Sequence, residues 1–455
     1  MVLRAAEEEW NAVTATPLGK GTTDSYLASA AGRSLALRVT SLGLVFICHL
    51  LLTRLLGAHA YGLYAYALAW MKALSVPATL GLERLVVREV AIYNARSDWA
   101  SWHGLLIWAG RALLVAAIGI ALVAVALSLL ISGSAEGLQP FWLAMALLPM
   151  LTLLRLKQFV MQGMHRAILG QIPETLVQPL LLTMLIPVYF AFVGRLTATG
   201  AMGLNVAATL AALVCGVALF ERTLPTSVKE SAPNAQSRVW RRSMVPLLLV
   251  SGVTAVSGQI PVLMLGAIGN AEAAGILSVA KRLADLTIIP TLALSAVLTP
   301  RLAALWAMRD MRGLQRTMTK CARWVTLVSL PLALVFIIFG RPVLEIFGVP
   351  FVAGATALTL LCVGQIVNMF AGSNGLLLVM AGHEREVAVI TIAGALLNLM
   401  LCALLVPGRG ISGGAVSAAA SLTAWNLLLM WRVWRVLGIR PSIFTRLIDE
   451  SQAAN

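Results

Sequence analysis

The sequence predicts an all-α polytopic membrane protein, with about 12 transmembrane helices in two pseudo-symmetric six-helix bundles around a central cavity. Three observations predict this fold class. Hydrophobic residues make up 59% of the 455-residue chain and charged residues only 12%, whereas a soluble domain has about 25% charged residues. Many apolar runs approach the roughly 20 residues that cross a bilayer. Motifs in the first half of the chain recur in the second.

The order of polar and apolar stretches predicts the domains. Residues 1–30 are polar and lack the apolar core of a signal peptide, so they are interpreted as a cytoplasmic tail. Twelve apolar runs follow, at 34–54, 61–82, 105–131, 140–158, 172–193, 201–220, 244–268, 275–298, 324–340, 354–380, 387–406 and 412–433. The predicted units are a tail at 1–30, an N-terminal six-helix bundle at 31–222, a cytoplasmic linker at 223–242, a C-terminal six-helix bundle at 243–436 and a cytoplasmic tail at 437–455.

The positive charges predict the orientation. The net charge is +15, and most of the 34 lysines and arginines fall in segments on the same side as the N-terminus. The positive-inside rule therefore places both termini in the cytoplasm, and no nucleic-acid partner is needed to explain the charge. The basic stretch 301–323 has apolar residues at helical spacing, so we expect an amphipathic helix on the inner leaflet.

Composition also limits the chemistry. The five cysteines and five histidines are scattered, and none has the spacing of a metal site or a disulfide framework. The GxGxxG pattern at 408–413 joins two predicted spans and lacks the strand that a dinucleotide site requires. We therefore expect no metal, no cofactor and no enzymatic activity.

A weak internal repeat relates the two halves. Gly62 lies at the start of the second span as Gly275 lies at the start of the eighth, and glycine-rich turns precede both the sixth and the twelfth. Six spans in each half give the halves the same orientation, so the repeat axis runs along the membrane normal. In this alignment Lys72 corresponds to Asp285, which puts ionisable groups at one depth. Coincidence within a weak repeat is the alternative.

The eighth span, GILSVAKRLADLTIIPTLALSAVL, contains Lys281, Arg282 and Asp285. A charge at membrane depth costs roughly 2.5–3.5 kcal/mol unless it faces protein, a partner or water. Asp285 is within helical reach of both cations but cannot neutralise both, so we expect surplus positive charge inside the membrane. Alternatively, these side chains lie near the helix end and extend to the lipid headgroups.

These residues favour an anionic ligand. An interior lined by Lys72, Lys281 and Arg282 would attract a group such as pyrophosphate. Asp285 is the one carboxylate clearly within a predicted span. It is a candidate for coupling transport to an ion gradient, and it is equally a candidate for the counter-ion of its cationic neighbours.

Several motifs also carry a family resemblance. The stretch 54–64 reads RLLGAHAYGLY and is followed by Arg88, the eighth span contains Ala280 and Arg282, and 345–348 reads EIFG. In order and spacing, these motifs resemble those of the polysaccharide flippases of the multidrug/oligosaccharidyl-lipid/polysaccharide (MOP) exporter superfamily. The resemblance covers about residues 30–435.

The resemblance implies a flippase that moves an undecaprenyl-pyrophosphate-linked oligosaccharide across the bacterial inner membrane for O-antigen or exopolysaccharide synthesis, without ATP hydrolysis. The expected partners are this lipid-linked oligosaccharide, membrane lipids and a polysaccharide polymerase. The expected substrate contacts, the last three of them at a gate or cavity mouth, are Lys72, Lys281, Arg282, Arg54, Arg88 and Arg38. Asp285 is expected to be their counter-ion or a coupling group.

Three other functions remain as alternatives. A cation-coupled multidrug antiporter of the same superfamily would have an acidic cavity, which the cationic excess opposes. A lipid II flippase usually has two additional spans. A membrane enzyme acting on the same lipids would have a large external loop, and the longest predicted external stretches, 132–139 and 341–353, are short.

Overall fold

The computed structural model describes residues 20–131, 138–164, 166–234, 240 and 256–439, and these are helical with short turns and contain no strand. The predicted terminal tails and linker lie partly outside these residues, as do residues 244–255 of the predicted seventh span. The domain boundaries therefore stay predictions. The helical fold class is confirmed.

The N-terminal bundle begins with a long helix, α1 (Lys20–Thr79), which bends at Gly57. Gly57 has a φ of +72°, a conformation that glycine adopts without steric cost. The helices that follow are α2 (Leu82–Arg96), α3 (Trp99–Ile131), α4 (Leu138–Gly163), α5 (Ala167–Ile172), α6 (Gln178–Val193), α7 (Ala198–Thr223) and α8 (Thr226–Glu230). A π-helical turn at Pro173–Val177 joins α5 to α6.

The C-terminal bundle ends, as the N-terminal one begins, with a long helix that bends at a glycine. Its helices are α9 (Ile260–Ala267), α10 (Ala271–Leu286), α11 (Ile289–Ala307), α12 (Met311–Ile338), α13 (Gly340–Glu345), α14 (Ala355–Ala371), α15 (Asn374–Met380) and α16 (Glu384–Leu437). A 3₁₀ turn at Val349–Gly354 precedes α14. The bend in α16 is at Gly410, with a φ of +53°.

Within the described residues, eight helical segments are long and apolar enough to cross a membrane. Two of them, in α1 and α16, are each divided by their glycine bend into two arms. These arms match the predicted first and second spans and the predicted eleventh and twelfth. With the shorter helices of the C-terminal bundle, the architecture agrees with about 12 transmembrane helices in two bundles.

Two predicted segments of the C-terminal bundle differ from the structure. The expected continuous span at 275–298 is divided between α10 and α11, because Pro290 lacks the N–H that would continue the helical hydrogen bonds. The expectation of one surface helix over 301–323 is wrong. Asp310 starts a new helix there, since its Oδ1 accepts a hydrogen bond from the Gly313 N–H at 2.7 Å, a typical N-cap.

The two bundles share a hydrophobic core at one end and have separate cores at the other. The shared core includes Leu52 and Tyr61 of the N-terminal bundle with Leu277 and Phe351 of the C-terminal bundle. At the opposite end, one cluster surrounds Trp102 within the N-terminal bundle and another surrounds Leu314 within the C-terminal bundle. In the orientation predicted from the sequence, the shared end is the outer end, and the end with separate cores is the predicted cytoplasmic side.

Helices α1 and α10 cross at two glycines in the shared core. A Cβ atom on Gly275 would lie 2.8 Å from the Cα of Gly62, and one on Gly62 would overlap the carbonyl oxygen of Ala271. Small residues at such a crossing let the helix backbones approach closely. Gly62 and Gly275 are the residues that the internal repeat aligns, so the pseudo-symmetry axis passes close to this contact.

We expect Gly62→Ala, and likewise Gly275→Ala, to destabilise the protein, because overpacking costs typically about 1–3 kcal/mol. The measurement is the thermal unfolding midpoint of the purified protein in detergent. Gly119→Ala is the matched control, since a Cβ on Gly119 has nothing within 4 Å. Equal midpoints for the three variants would contradict the tight crossing.

Candidate functional site: a cavity between the bundles

A central cavity of about 280 Å³ lies between the two bundles. Its lining repeats at helical spacing, so each helix contributes one face. The lining residues of α1 and α10 are Leu42, Val45, Phe46, His49, Tyr61, Tyr64, Ala65, Leu68, Ala69, Lys72, Ser278, Lys281, Arg282, Asp285 and Leu286, and Gln259 and Val262 complete the wall. The same two helices that close the outer end therefore form most of the cavity.

Lys72, Lys281, Arg282 and Asp285 all line this cavity. Lys72 and Asp285 follow Gly62 and Gly275, respectively, by about 15 Å along their helices at 1.5 Å per residue. That distance is about half of a bilayer core of roughly 30 Å. The two glycines lie at the start of the predicted second and eighth spans, so Lys72 and Asp285 are expected near mid-membrane depth. Among the described lining residues, three basic side chains accompany one carboxylate, so the cavity has an excess of positive charge.

Lys281 and Asp285 form an ion pair at 2.6 Å between Nζ and Oδ2. The side chains are 28% and 40% exposed, so both are in contact with cavity solvent. An ion pair that solvent reaches contributes little net stability. This pair can therefore exchange partners when another anion enters the cavity.

On the N-terminal side of the cavity, neutral polar side chains are connected by hydrogen bonds. The Tyr61 hydroxyl lies 3.1 Å from Nδ1 of the buried His49. The Tyr64 hydroxyl accepts a hydrogen bond from Asn205 Nδ2 at 3.1 Å, and Gln178 Nε2 donates to Asn205 Oδ1 at 3.1 Å. Gln178 directly follows the π-helical turn, a feature that often occurs at functional sites. These bonds fix the orientation of both tyrosines.

Arg54 lies outside the cavity, at the shared end of the bundles. Its Nε donates a hydrogen bond to the carbonyl oxygen of Ile346 at 2.6 Å, which links α1 to the segment before α14. Phe46 and Phe347 form an edge-to-face pair nearby, with ring centroids 5.4 Å apart. This position fits a contact that closes the outer end of the cavity.

Of the two other predicted arginines, only Arg88 has a described side chain, and it lies away from this group. Arg88 is exposed on α2, where it pairs with Glu89 at 2.8 Å. Arg38 lies in α1, but its side chain is outside the described part of the protein. The structure therefore brings together Lys72, Lys281 and Arg282 with Asp285.

His49, Tyr61 and Tyr64 also line the cavity, although they are not among the residues predicted from the sequence. A usable signal was present for the tyrosines: Tyr61, Tyr64, Leu68 and Lys72 follow i, i+3, i+7 and i+11 spacing and share one helical face.

Comparison with known proteins identifies the class of the fold. The chain has the fold of an inward-facing multidrug resistance MATE family transporter of the MOP superfamily, with 15% identity, a TM-score of 0.73 and coverage of 89% of this chain and 98% of the other. An outward-facing structure described in the same terms gives 14% identity, a TM-score of 0.63 and coverage of 90% and 96%. A MOP superfamily transporter from Pyrococcus furiosus, described as having a binding pocket of reversed polarity, gives 15% identity, a TM-score of 0.61 and coverage of 88% and 93%.

Sequence models give the family. The model described as polysaccharide biosynthesis protein matches residues 31–306, which is more than half of the chain. The protein belongs to this family, as its motifs led us to expect. The MatE model matches residues 246–404. No curated protein matches the chain in sequence. Family and fold are those of multi-pass membrane transporters.

We expect a cysteine at position 72 to react with a charged, water-soluble thiol reagent, because the Lys72 side chain is exposed to the cavity. The matched control is Ala73→Cys, one residue along, where the side chain is buried. Both are placed in a background with the native cysteines replaced by alanine, and labelling of inside-out vesicles is measured by mass shift. Labelling of both positions, or of neither, would contradict a hydrated cavity on this face of α1.

Proposed function

We propose that the protein is a flippase that moves a polyprenyl-pyrophosphate-linked oligosaccharide from the cytoplasmic to the outer leaflet of the bacterial inner membrane, for O-antigen or exopolysaccharide synthesis. The observation that carries this proposal is the excess of basic side chains that line the central cavity between the bundles. Membership of the polysaccharide biosynthesis protein family supports the same class of substrate.

The physical problem for such a substrate is its headgroup. Each phosphate of the pyrophosphate carries a negative charge and the sugars carry many hydroxyls, so their transfer into hydrocarbon without partners is very costly. A hydrated, cationic cavity removes most of that cost. The pyrophosphate contacts Lys72, Lys281 and Arg282, while the apolar prenyl chain stays in the surrounding lipid.

The proposed cycle uses the arrangement of the two bundles. With both termini in the cytoplasm, the bundles diverge toward the inner leaflet and the headgroup enters from there. The arriving pyrophosphate competes with Asp285 for Lys281, which leaves that carboxylate free to bind a proton or another cation. The bundles then rock about the cavity, and the product becomes accessible at the outer leaflet to a polysaccharide polymerase.

A multidrug antiporter is less compatible with this cavity. An organic cation would meet the basic side chains of Lys72, Lys281 and Arg282, and the one described carboxylate among them is already paired. Electrostatic repulsion disfavours that ligand. The charge of the cavity, and not the fold, separates these two functions.

The test is transport of a fluorescent polyprenyl-pyrophosphate-linked saccharide in proteoliposomes. We expect the double variant Lys281→Ala/Arg282→Ala to lose at least about tenfold in rate, since hydrogen bonds to charged groups contribute roughly 1.5–3 kcal/mol each. The matched control is Arg222→Ala/Lys229→Ala, which removes one arginine and one lysine from exposed positions outside the cavity.

Three results would contradict the proposal. One is an unchanged rate in the cavity double variant. Another is an equal loss in the control, which would indicate a general effect of charge. The third is transport of a fluorescent organic cation by the wild-type protein in the same vesicles, without transport of the lipid-linked saccharide.

A further inference from the structure

A second cavity, of about 230 Å³, lies within the C-terminal bundle behind α10. We call it the C-terminal cavity. Its polar lining includes Lys281, Asp285, Gln365, Asn398, Ser421 and Trp425. The two arms of α16 contribute residues 391, 394, 395 and 398 and residues 418, 419, 421, 422 and 425, and each set follows one helical face. The volume far exceeds the roughly 30 Å³ of one water molecule.

The C-terminal cavity and the central cavity share Lys281 and Asp285 in their linings. Their ion pair, on α10, therefore lies at the junction between the two spaces. A ligand with an anionic part in the central cavity can extend its neighbouring part past this pair. The two cavities together fit a ligand of two chemically different portions.

The lining of the C-terminal cavity is suited to a sugar. Gln365 and Asn398 are only 7% and 4% exposed, and their amides can both donate and accept hydrogen bonds. Trp425 offers an aromatic surface against which the C–H groups of a pyranose can pack. Hydroxyl side chains of the protein also line the cavity. Combined apolar and directed polar contacts are typical of small-molecule sites.

Hydrogen bonds within the bundle hold these side chains in place. Asn398 Nδ2 donates to the carbonyl oxygen of Ser257 at 3.0 Å, and Trp425 Nε1 donates to Thr391 Oγ1 at 3.3 Å. Gly394 lets the other arm of α16 approach, since a Cβ there would lie 3.3 Å from the Cβ of Trp425. Such support from neighbouring groups preorganises a binding site.

The same lining disfavours a metal ion or a lipid chain. Its one carboxylate among the described residues, Asp285, is paired with an ammonium group at 2.6 Å. The described parts of the chain contain no group of three or more His, Cys, Asp or Glu residues that could hold a metal ion. An acyl chain could not satisfy the remaining hydrogen-bonding capacity of the Gln365 and Asn398 amides, which costs free energy.

We propose that the C-terminal cavity binds the sugar unit attached directly to the pyrophosphate, so that Gln365, Asn398 and Trp425 determine which glycan is accepted. This proposal rests on the function proposed above. Lys281 then contacts the phosphate nearest the sugar, at the junction of the two cavities.

The test is binding to the full-length protein in nanodiscs, measured by calorimetry. The probes are farnesyl pyrophosphate and a panel of the same compound carrying one hexose or one N-acetylhexosamine. We expect at least one sugar-bearing probe to bind about tenfold more tightly than the bare pyrophosphate, which corresponds to about 1.4 kcal/mol.

Variants then assign that gain to the C-terminal cavity. Trp425→Leu is expected to remove the gain while the affinity for farnesyl pyrophosphate itself is unchanged. Trp431→Leu is the matched control, because Trp431 is exposed on the same arm of α16 and does not line the cavity. Gln365→Leu is a second, independent variant for the same loss. Retained affinity for the bare pyrophosphate shows that each variant is folded.

The outcomes separate the two proposals. If no sugar in the panel improves on the bare pyrophosphate, or if both cavity variants keep the gain, the sugar site is overturned while the flippase function stands. If neither the bare nor the sugar-bearing pyrophosphates bind to the wild-type protein, the flippase function itself fails.

Discussion

The close crossing of α1 and α10 is the contact on which the arrangement of the bundles depends. At Gly62 and Gly275 the two backbones approach so closely that there is no room for a side chain. Below this point the helices continue for about 15 Å with larger residues before they reach Lys72 and Asp285. Small residues bring the helices together at one end, and bulkier polar residues line the space that opens beyond it.

That space explains how basic side chains are accommodated at membrane depth. Lys72, Lys281 and Arg282 face a cavity, so they do not bear the cost of contact with hydrocarbon. The two bundles contribute differently despite their pseudo-symmetry. The N-terminal bundle provides Lys72 and neutral groups such as Tyr64 and Asn205, whereas α10 carries both members of the ion pair. The C-terminal cavity adjoins the central cavity at this ion pair.

Much of this architecture was predictable from sequence because the bilayer constrains it directly. The thickness of the bilayer sets the length of each apolar span, and the positive-inside rule relates the distribution of lysines and arginines to orientation. The glycines aligned by the internal repeat proved to be neighbours, and the alignment of Lys72 with Asp285 placed both in one cavity. Other features depend on local and tertiary geometry. Pro290 divides a continuous apolar run, and Asp310 starts a helix where a longer amphipathic one was expected.

The residues of the C-terminal cavity were harder to find. Gln365 and Asn398 lie singly within apolar runs, and Trp425 is one of 12 tryptophans in the chain. Only the packing of α14 against both arms of α16 shows that they face the same space. Ser257, Gly258 and Pro261, in the described part of the predicted seventh span, complete the wall of this cavity.

The hydrogen bond from Arg54 to Ile346 has a consequence for how variation is tolerated at the outer end. The acceptor is a main-chain carbonyl oxygen, which every residue type at position 346 provides. The neighbouring side chains can therefore change among related proteins without loss of this bond, whereas a lysine at position 54 would lack the guanidinium geometry. The bond is also exposed to solvent, so water can replace the carbonyl when the bundles separate, and closure at this end is reversible at little cost.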